Sequence, residues 1–286
     1  MADFAASSPS LMTDETFTLL RDFIYEHSGI YFSDTKKSQL ENRLSLRLRA
    51  NNLPDYDKYY YMLKYDPQAS KELRALFDSV TTNETSFFRS PPQIQAFQEK
   101  ALPEIMEAHA KKGEKILRLW SAGCSTGDEP YTMGIVVKEI LNDKLKEWDV
   151  KIFASDISEK ALKSARASVY NDYTLRSVPP EIKKKYFVQN GSQFTVCDEI
   201  RMLVDLQYLN FNDTKRVKLM KGFDIIFCRN VLIYFDDEAK KRFVAQLYDN
   251  LNPGGYLFIG HSESLHNISR AFKLVHFPGA LGYKKE

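Results

Sequence analysis

Beyond Gly113 the chain alternates short apolar runs with stretches of helical periodicity, and this rhythm limits its fold more than any other feature. The runs are Ile116 to Trp120, Lys151 to Ser155, Leu203 to Leu209, Phe223 to Cys228 and Tyr256 to Gly260. Between them lie Tyr131 to Leu141, Ser158 to Ala167 and Asp236 to Leu251, each with apolar residues at helical spacing. Strands of this length alternating with helices form βαβ units around a mostly parallel sheet. The end, Phe272 to Lys285, reads as two short strands around Pro278-Gly279 that close the sheet with an antiparallel edge.

Two segments break the rhythm. From Thr13 to about Val80 the spacing is helical throughout: one helix from Asp14 to His27 closed by Ser28-Gly29, another from Lys36 to Ala50 with Leu40, Leu44 and Leu48 on one stripe. A further helix starts near Pro91. Between about 173 and 200, Pro179-Pro180, a lysine-rich turn and Gln189-Asn190-Gly191-Ser192 mark a small inserted β-subdomain built on a hairpin. The expected organisation is a helical domain over 1–82, a linker over 83–112 and an α/β domain over 113–286.

Composition removes several function classes. With 43% hydrophobic and 27% charged residues, the chain has the balance of an ordinary soluble domain. A net charge of +2 argues against a nucleic-acid partner. No apolar run approaches the ~20 residues of a membrane span, and Met1 to Ser10 lacks the pattern of a secretory leader, so no membrane insertion and a cytoplasmic location are expected. Cys124, Cys197 and Cys228 have no CxxC spacing, which suggests neither disulfides nor a metal site. A monomer is the default expectation.

Three strand ends carry the chemistry. The first strand runs into Ser121-Ala122-Gly123-Cys124-Ser125-Thr126-Gly127-Asp128-Glu129, a turn of small residues opening into a helix, where a ligand can approach the backbone. It is neither GxGxxG nor a P-loop, and it contains no lysine or arginine to balance phosphate charge. The second strand ends at Asp156, whose carboxylate can accept from vicinal ribose hydroxyls or cap the following helix. The third ends in Arg229-Asn230-Val231-Leu232-Ile233-Tyr234. Parallel strands present their carboxyl ends together, so Gly123, Asp156 and Asn230 belong to one crevice suited to an adenosine-containing ligand. His261 and Glu263, at another strand end, read either as neighbours that support the site or as polar loop groups, and the latter is preferred.

Four stretches together resemble the CheR chemotaxis receptor methyltransferases: Thr81-Thr82-Asn83-Glu84-Thr85-Ser86-Phe87-Phe88-Arg89, Ser121 through Tyr131, Phe227 through Phe235, and Gly260-His261-Ser262-Glu263-Ser264. The resemblance covers nearly the whole chain. It implies a Rossmann-like S-adenosylmethionine-dependent methyltransferase domain, preceded by the helical domain, that esterifies receptor glutamates. It also implies that the co-substrate is held by Asn83, Thr85, Arg89, Glu129, Asp156, Asn210, Phe211, Asn230 and Val231, in addition to Gly123. Arg89 is expected to orient a carboxylate and Tyr234 to flank the methyl group, with no metal. Lys36, Lys37, Arg43, Arg47 and Arg49 are expected to dock the helical, acidic cytoplasmic region of methyl-accepting receptors. Two rivals remain at this level: a methyltransferase acting on another substrate, and a signalling module that only binds the cofactor. Asp128, where the family has Glu, is given no role.

Overall fold

The computed structural model describes residues 11–67 and 69–286. The leader reading of Met1 to Ser10 lies outside the described residues. The chain divides into two compact units between Thr82 and Asn83, so residues 83–112 cluster with the second unit.

The first unit contains α1 (Asp14–Ser28), α2 (Lys37–Ala50), α3 (Tyr56–Tyr65) and α4 (Ala69–Val80). Thr13 caps α1 by accepting from the Thr16 amide at 3.1 Å, and Gly29 ends it in the left-handed region at φ 75°. Phe17, Leu20 and Ile24 of α1, Leu40, Leu44 and Leu48 of α2, and Leu76, Phe77 and Val80 of α4 are buried. One polar clasp lies between these helices. Arg47 donates from Nε and Nη2 to both oxygens of Glu72 at 2.8 and 2.6 Å, and the Tyr59 hydroxyl donates to the same carboxylate at 2.8 Å. Burial alone would raise the Glu72 pKa; the hydrogen bonds from Arg47 and Tyr59 bring it below the usual range.

These bonds narrow the expected docking face. Arg47 is committed to Glu72, and Arg43 donates to the Val80 carbonyl and, at 2.6 Å, to Thr82 Oγ1. Lys37 pairs with Asp14. Lys36 and Arg49 stand exposed. Spacing along one helix identifies a stripe of cations but not the neighbouring helix that accepts their bonds.

The second unit begins with α5 (Pro91–Ala96), a π-helical turn (Phe97–Ala101) and α6 (Leu102–Lys111). It continues through β1 (Ile116–Ala122), α7 (Asp128–Leu141), β2 (Asp149–Asp156), α8 (Glu159–Ala167), β3 (Val169–Asn171), α9 (Pro180–Tyr186), β4 (Phe187–Asn190) and β5 (Gln193–Val196). Then follow α10 (Asp198–Arg201), β6 (Val204–Tyr208), α11 (Thr214–Leu219), β7 (Phe223–Cys228), α12 (Asp237–Asn250), β8 (Leu251–Ile259), β9 (Lys273–Phe277) and β10 (Ala280–Lys284).

Seven strands form one sheet in the order β6-β2-β1-β7-β8-β10-β9, parallel from β6 to β8 and antiparallel at the β10 and β9 edge. Both faces are covered. Leu117, Leu119, Ile225 and Phe227 pack with Phe97, Leu102 and Val136, while Trp120, Ile226 and Cys228 pack with Phe243, Val244 and Leu247. The three cysteines are free, and burial pushes the Cys124 and Cys228 thiols well up, so both act as small core residues.

The small subdomain is an antiparallel sheet in the order β3-β5-β4. It starts at Val169, a few residues before the expected boundary, because a three-residue strand shows no alternation in sequence. Phe87 is buried against its Tyr170 and Phe187, ring centroids 4.7 and 5.0 Å away, and the Phe87 amide donates to the Thr174 carbonyl at 3.0 Å.

Candidate active site

From β1 the chain crosses outward to β2 and β6, then returns to place β7 on the other side of β1. The order of strands therefore reverses between β1 and β7. Helices cross on opposite faces there, and the carboxyl ends of the two strands open onto a crevice.

The turn after β1 forms the floor. The Gly123 and Cys124 amides donate to the Ser155 carbonyl at 2.8 and 2.9 Å, which ties the turn to the end of β2. Gly123 has φ 84°, and a β-carbon there would lie 2.4 Å from Val231 Cγ2. Only glycine satisfies both the backbone and that approach. Gly123 and Val231, far apart in sequence, are thus pressed together from the two sides of the crevice.

Asp156 is buried at the end of β2, accepting from the Ser125 amide on Oδ2 and the Ser158 amide on Oδ1, each at 2.8 Å. A carboxylate at a strand end is an acceptor of the kind that a diol's hydroxyls can meet. Ser125 Oγ donates to the Asn83 carbonyl at 3.1 Å, and Asn83 Nδ2 reaches Ser158 Oγ at 3.5 Å, which joins the segment after the helical unit to this corner. Ser158, rather than Asp156, supplies the side-chain cap of α8, accepting from the Ala161 amide at 3.1 Å.

Glu129 stands in the first turn of α7. Its Oε1 accepts from Ser121 Oγ at 2.7 Å and its Oε2 from Arg229 Nη1 at 3.3 Å. Burial pushes the Glu129 carboxyl up, opposed by the Arg229 charge, and burial lowers Arg229 in turn. Arg229 also donates from Nη2 to the Arg89 carbonyl at 2.6 Å. The Arg89 side chain donates to the Glu84 carbonyl at 3.0 Å, with Thr85 half-buried between them.

The loop after β7 is held by Glu263. Its Oε2 accepts from the Asn230 amide at 2.9 Å and the Gly260 amide at 2.5 Å, and its Oε1 from the Ile233 amide at 3.1 Å. This corrects the reading of Glu263 as a polar loop group: three main-chain donors converge on one carboxylate and fix the run Asn230 to Tyr234. Tyr234 is half-buried in the 3-10 turn Leu232–Tyr234 of that run. Asn210 and Phe211 follow β6, where the Leu209 amide donates to the Asp156 carbonyl at 3.0 Å. Asn210 Oδ1 accepts from the Asn212 amide at 2.9 Å, and Phe211 stacks on Phe243 with centroids 4.4 Å apart.

Backbone strain gathers here. Phe88 (φ 51°), Ser90 (φ 61°), Ser125 (φ 49°) and Asn230 (φ 58°) all adopt the left-handed region. Each such residue costs about 1 kcal/mol or more and persists only where its surroundings hold it.

Asn83, Gly123, Glu129, Asp156, Asn230, Val231 and Arg89 are thus connected through short chains of contacts, and Asn210 and Phe211 flank them beside Asp156. Sequence reasoning gave no role in the site to Arg229, Glu263, Ser121 or Ser125. The signal for all four was their place inside signature stretches. Among the described residues no group of three or more His, Cys, Asp or Glu could hold a metal ion.

Comparison with known proteins agrees along both units. Residues 83–280 match the family model described as the S-adenosylmethionine-binding domain of CheR methyltransferase, and residues 15–81 match its all-alpha domain. A chemotaxis protein methyltransferase 2 of Vibrio cholerae is 35% identical over 277 residues, 96% of this chain and 94% of that protein. A chemotaxis protein methyltransferase of Borreliella burgdorferi is 34% identical, covering 89% of each chain. That of Escherichia coli is 33% identical, covering 92% of this chain and 89% of its own. With both domain models matched in order and relatives aligned nearly end to end, the chain belongs to the CheR family of S-adenosylmethionine-dependent protein methyltransferases.

Proposed function

We propose that this chain, acting in the cytoplasm, esterifies glutamate side chains in the helical cytoplasmic region of chemotaxis receptors. The observation that carries the reading is the character of the crevice: Glu129, its side chain 12% exposed, and buried Asp156 flank a glycine turn without lysine or arginine. Such a donor set suits a cationic amino-acid nucleoside and disfavours a phosphate ligand. Asp156 would accept from the ribose hydroxyls. Glu129 would take the ammonium of the methionyl group, with Asn83, Thr85, Arg89, Asn210, Phe211, Asn230 and Val231 completing the enclosure around Gly123. The bound co-substrate supplies an electrophilic methyl on a sulfonium.

The acceptor needs no general base. A glutamate with a pKa of ~4.3 is already an anion at neutral pH. What the protein must do is align that anion and remove part of its water, since strong solvation favours the separated charges over the transition state. Arg89 would orient a carboxylate with its fork of donors, and Tyr234, on the turn that Glu263 fixes, would border the methyl group. Of the five cations expected to dock, Lys36 and Arg49 are the exposed ones and would meet an acidic receptor helix, with Arg43, Arg47 and Lys37 at the margin.

The test is incubation with methyl-labelled S-adenosylmethionine and receptor cytoplasmic fragments, followed by mild alkali and peptide mapping. The expected product releases its label as methanol from glutamate-containing peptides. Label stable to alkali would assign a different acceptor, and donor binding without transfer to any receptor fragment would favour a signalling module. At saturating donor, Arg89→Ala and Tyr234→Phe should both lose turnover; normal turnover in both would remove them from the reaction.

A further inference from the structure

Arg229 is a buried charge in the crevice to which the proposed chemistry gives no part. Its side chain is 4% exposed, and its Nε has no hydrogen-bond partner among the described residues. A guanidinium is withdrawn from water at this cost only where its bonds are specific. Of its two bonds, the one to Glu129 is long at 3.3 Å, while the one to the Arg89 carbonyl is short at 2.6 Å.

The site of that short bond is unusual. Arg89 lies between Phe88 and Ser90, both left-handed, so the chain makes a double crank centred on it. The crank is anchored on its N-terminal side, where the Phe87 amide donates to Thr174 and the Phe88 amide to Thr132 Oγ1 at 3.1 Å. At its centre the carbonyl is held by Arg229. Because non-glycine residues leave the left-handed region when released, the bond from Arg229 opposes that relaxation.

We propose that Arg229 is a positioning residue for transfer: it holds the Arg89 backbone in the cranked form that presents the Arg89 side chain to its carboxylate. This rests on the reading of Arg89 as a group that touches substrate. Arg229 itself contacts Glu129 and the Arg89 main chain, so it acts through Arg89 rather than on the reacting atoms.

A double-mutant cycle separates this role from simple support of the fold. Arg229→Lys retains a cation beside Glu129 but lacks the planar fork that reaches both acceptors. It should lower kcat by about 10- to 100-fold, the scale of one charge-assisted hydrogen bond felt in the transition state. Because Arg89 and Glu129 also enclose the donor, affinity for S-adenosylhomocysteine should weaken as well, and the part carried by Arg89 should vanish in the Arg89→Ala background. In an Arg89→Ala background the same Arg229→Lys change should cost almost nothing more, because the side chain it positions is gone. Impaired Arg89→Ala combined with an equal fold loss from Arg229→Lys in both backgrounds would overturn the inference alone. Wild-type kcat in Arg229→Lys would overturn it too. Normal turnover in Arg89→Ala would refute the reading of Arg89 and the inference with it. Arg229→Gln in the same cycle serves if the lysine variant fails to fold, as read by its thermal melt.

Discussion

Replacing Gly123 by alanine tests whether the crevice has the tight β1 to β7 contact described above. Two separable costs are built into that substitution. At φ 84° an alanine occupies the left-handed region, at about 1 to 2 kcal/mol. Its β-carbon would also stand 2.4 Å from Val231 Cγ2, so Val231 must withdraw by about an ångström, an overpacking cost of about 1 to 3 kcal/mol. Together they amount to about 2 to 5 kcal/mol. If the turn stays in place, this appears as lost stability. If it relaxes and displaces Val231 together with Asn230, the same cost returns as weaker binding of S-adenosylhomocysteine, because the bound geometry must be rebuilt. The quantity to compare is therefore the sum of the losses from a denaturation curve and from titration calorimetry. Val231→Ala removes the clashing methyl and leaves only its β-carbon, at 3.7 Å, in ordinary contact. In that background Gly123→Ala should cost only the backbone part, about 1 to 2 kcal/mol. A Gly123→Ala protein with wild-type stability and affinity would refute the reasoning, as would an undiminished cost in the Val231→Ala background.

Glu263→Gln can accept only at one oxygen, so at least one of the Asn230, Gly260 and Ile233 amides loses its acceptor and faces a donor; because the site is half-exposed, about tenfold weaker S-adenosylhomocysteine binding is expected, and unchanged affinity would show that the clamp does not order the loop. Arg47→Ala should destabilise the helical unit by about 2 kcal/mol by stranding Glu72, seen in urea unfolding, whereas Lys36→Glu with Arg49→Glu should spare stability and cofactor affinity while slowing methylation of receptor fragments. Equal receptor kinetics in that double variant would remove the docking face. Asp128 is wholly buried, and burial raises its carboxyl to about 6; a raised folded value means its contribution is fully present below the unfolded value near 4 and is lost as pH rises through 6. Asp128→Asn should therefore gain stability relative to wild type between pH 4 and pH 7, and a pH-independent difference in melting temperature would show that Asp128 does not titrate in that window.

What could be read from the chain depended on the range of the interaction involved. The strand and helix order is a matter of local periodicity, and β1, β2, β6, β7 and β8 lie over the five apolar runs, with the β9 and β10 hairpin at Pro278-Gly279. Asp156 and Asn230 followed from one further step, since parallel strands must present their carboxyl ends together. Longer-range facts were not accessible in this way. Arg43 and Arg47 form a cationic stripe on one helix, yet only the placement of α4 turns Arg47 inward to Glu72. Glu263 lies 33 residues from Asn230, and no pattern distinguishes a carboxylate that gathers three amides from one that points into water. The glycine turn shows the same division. Its small residues are visible in sequence, but the reason for Gly123 in particular is Val231, supplied by a strand end more than a hundred residues later. A crevice formed where strand order reverses is necessarily assembled from segments distant in the chain. The groups that hold those segments in register, Arg229 and Glu263, are therefore the ones whose partners a sequence does not reveal.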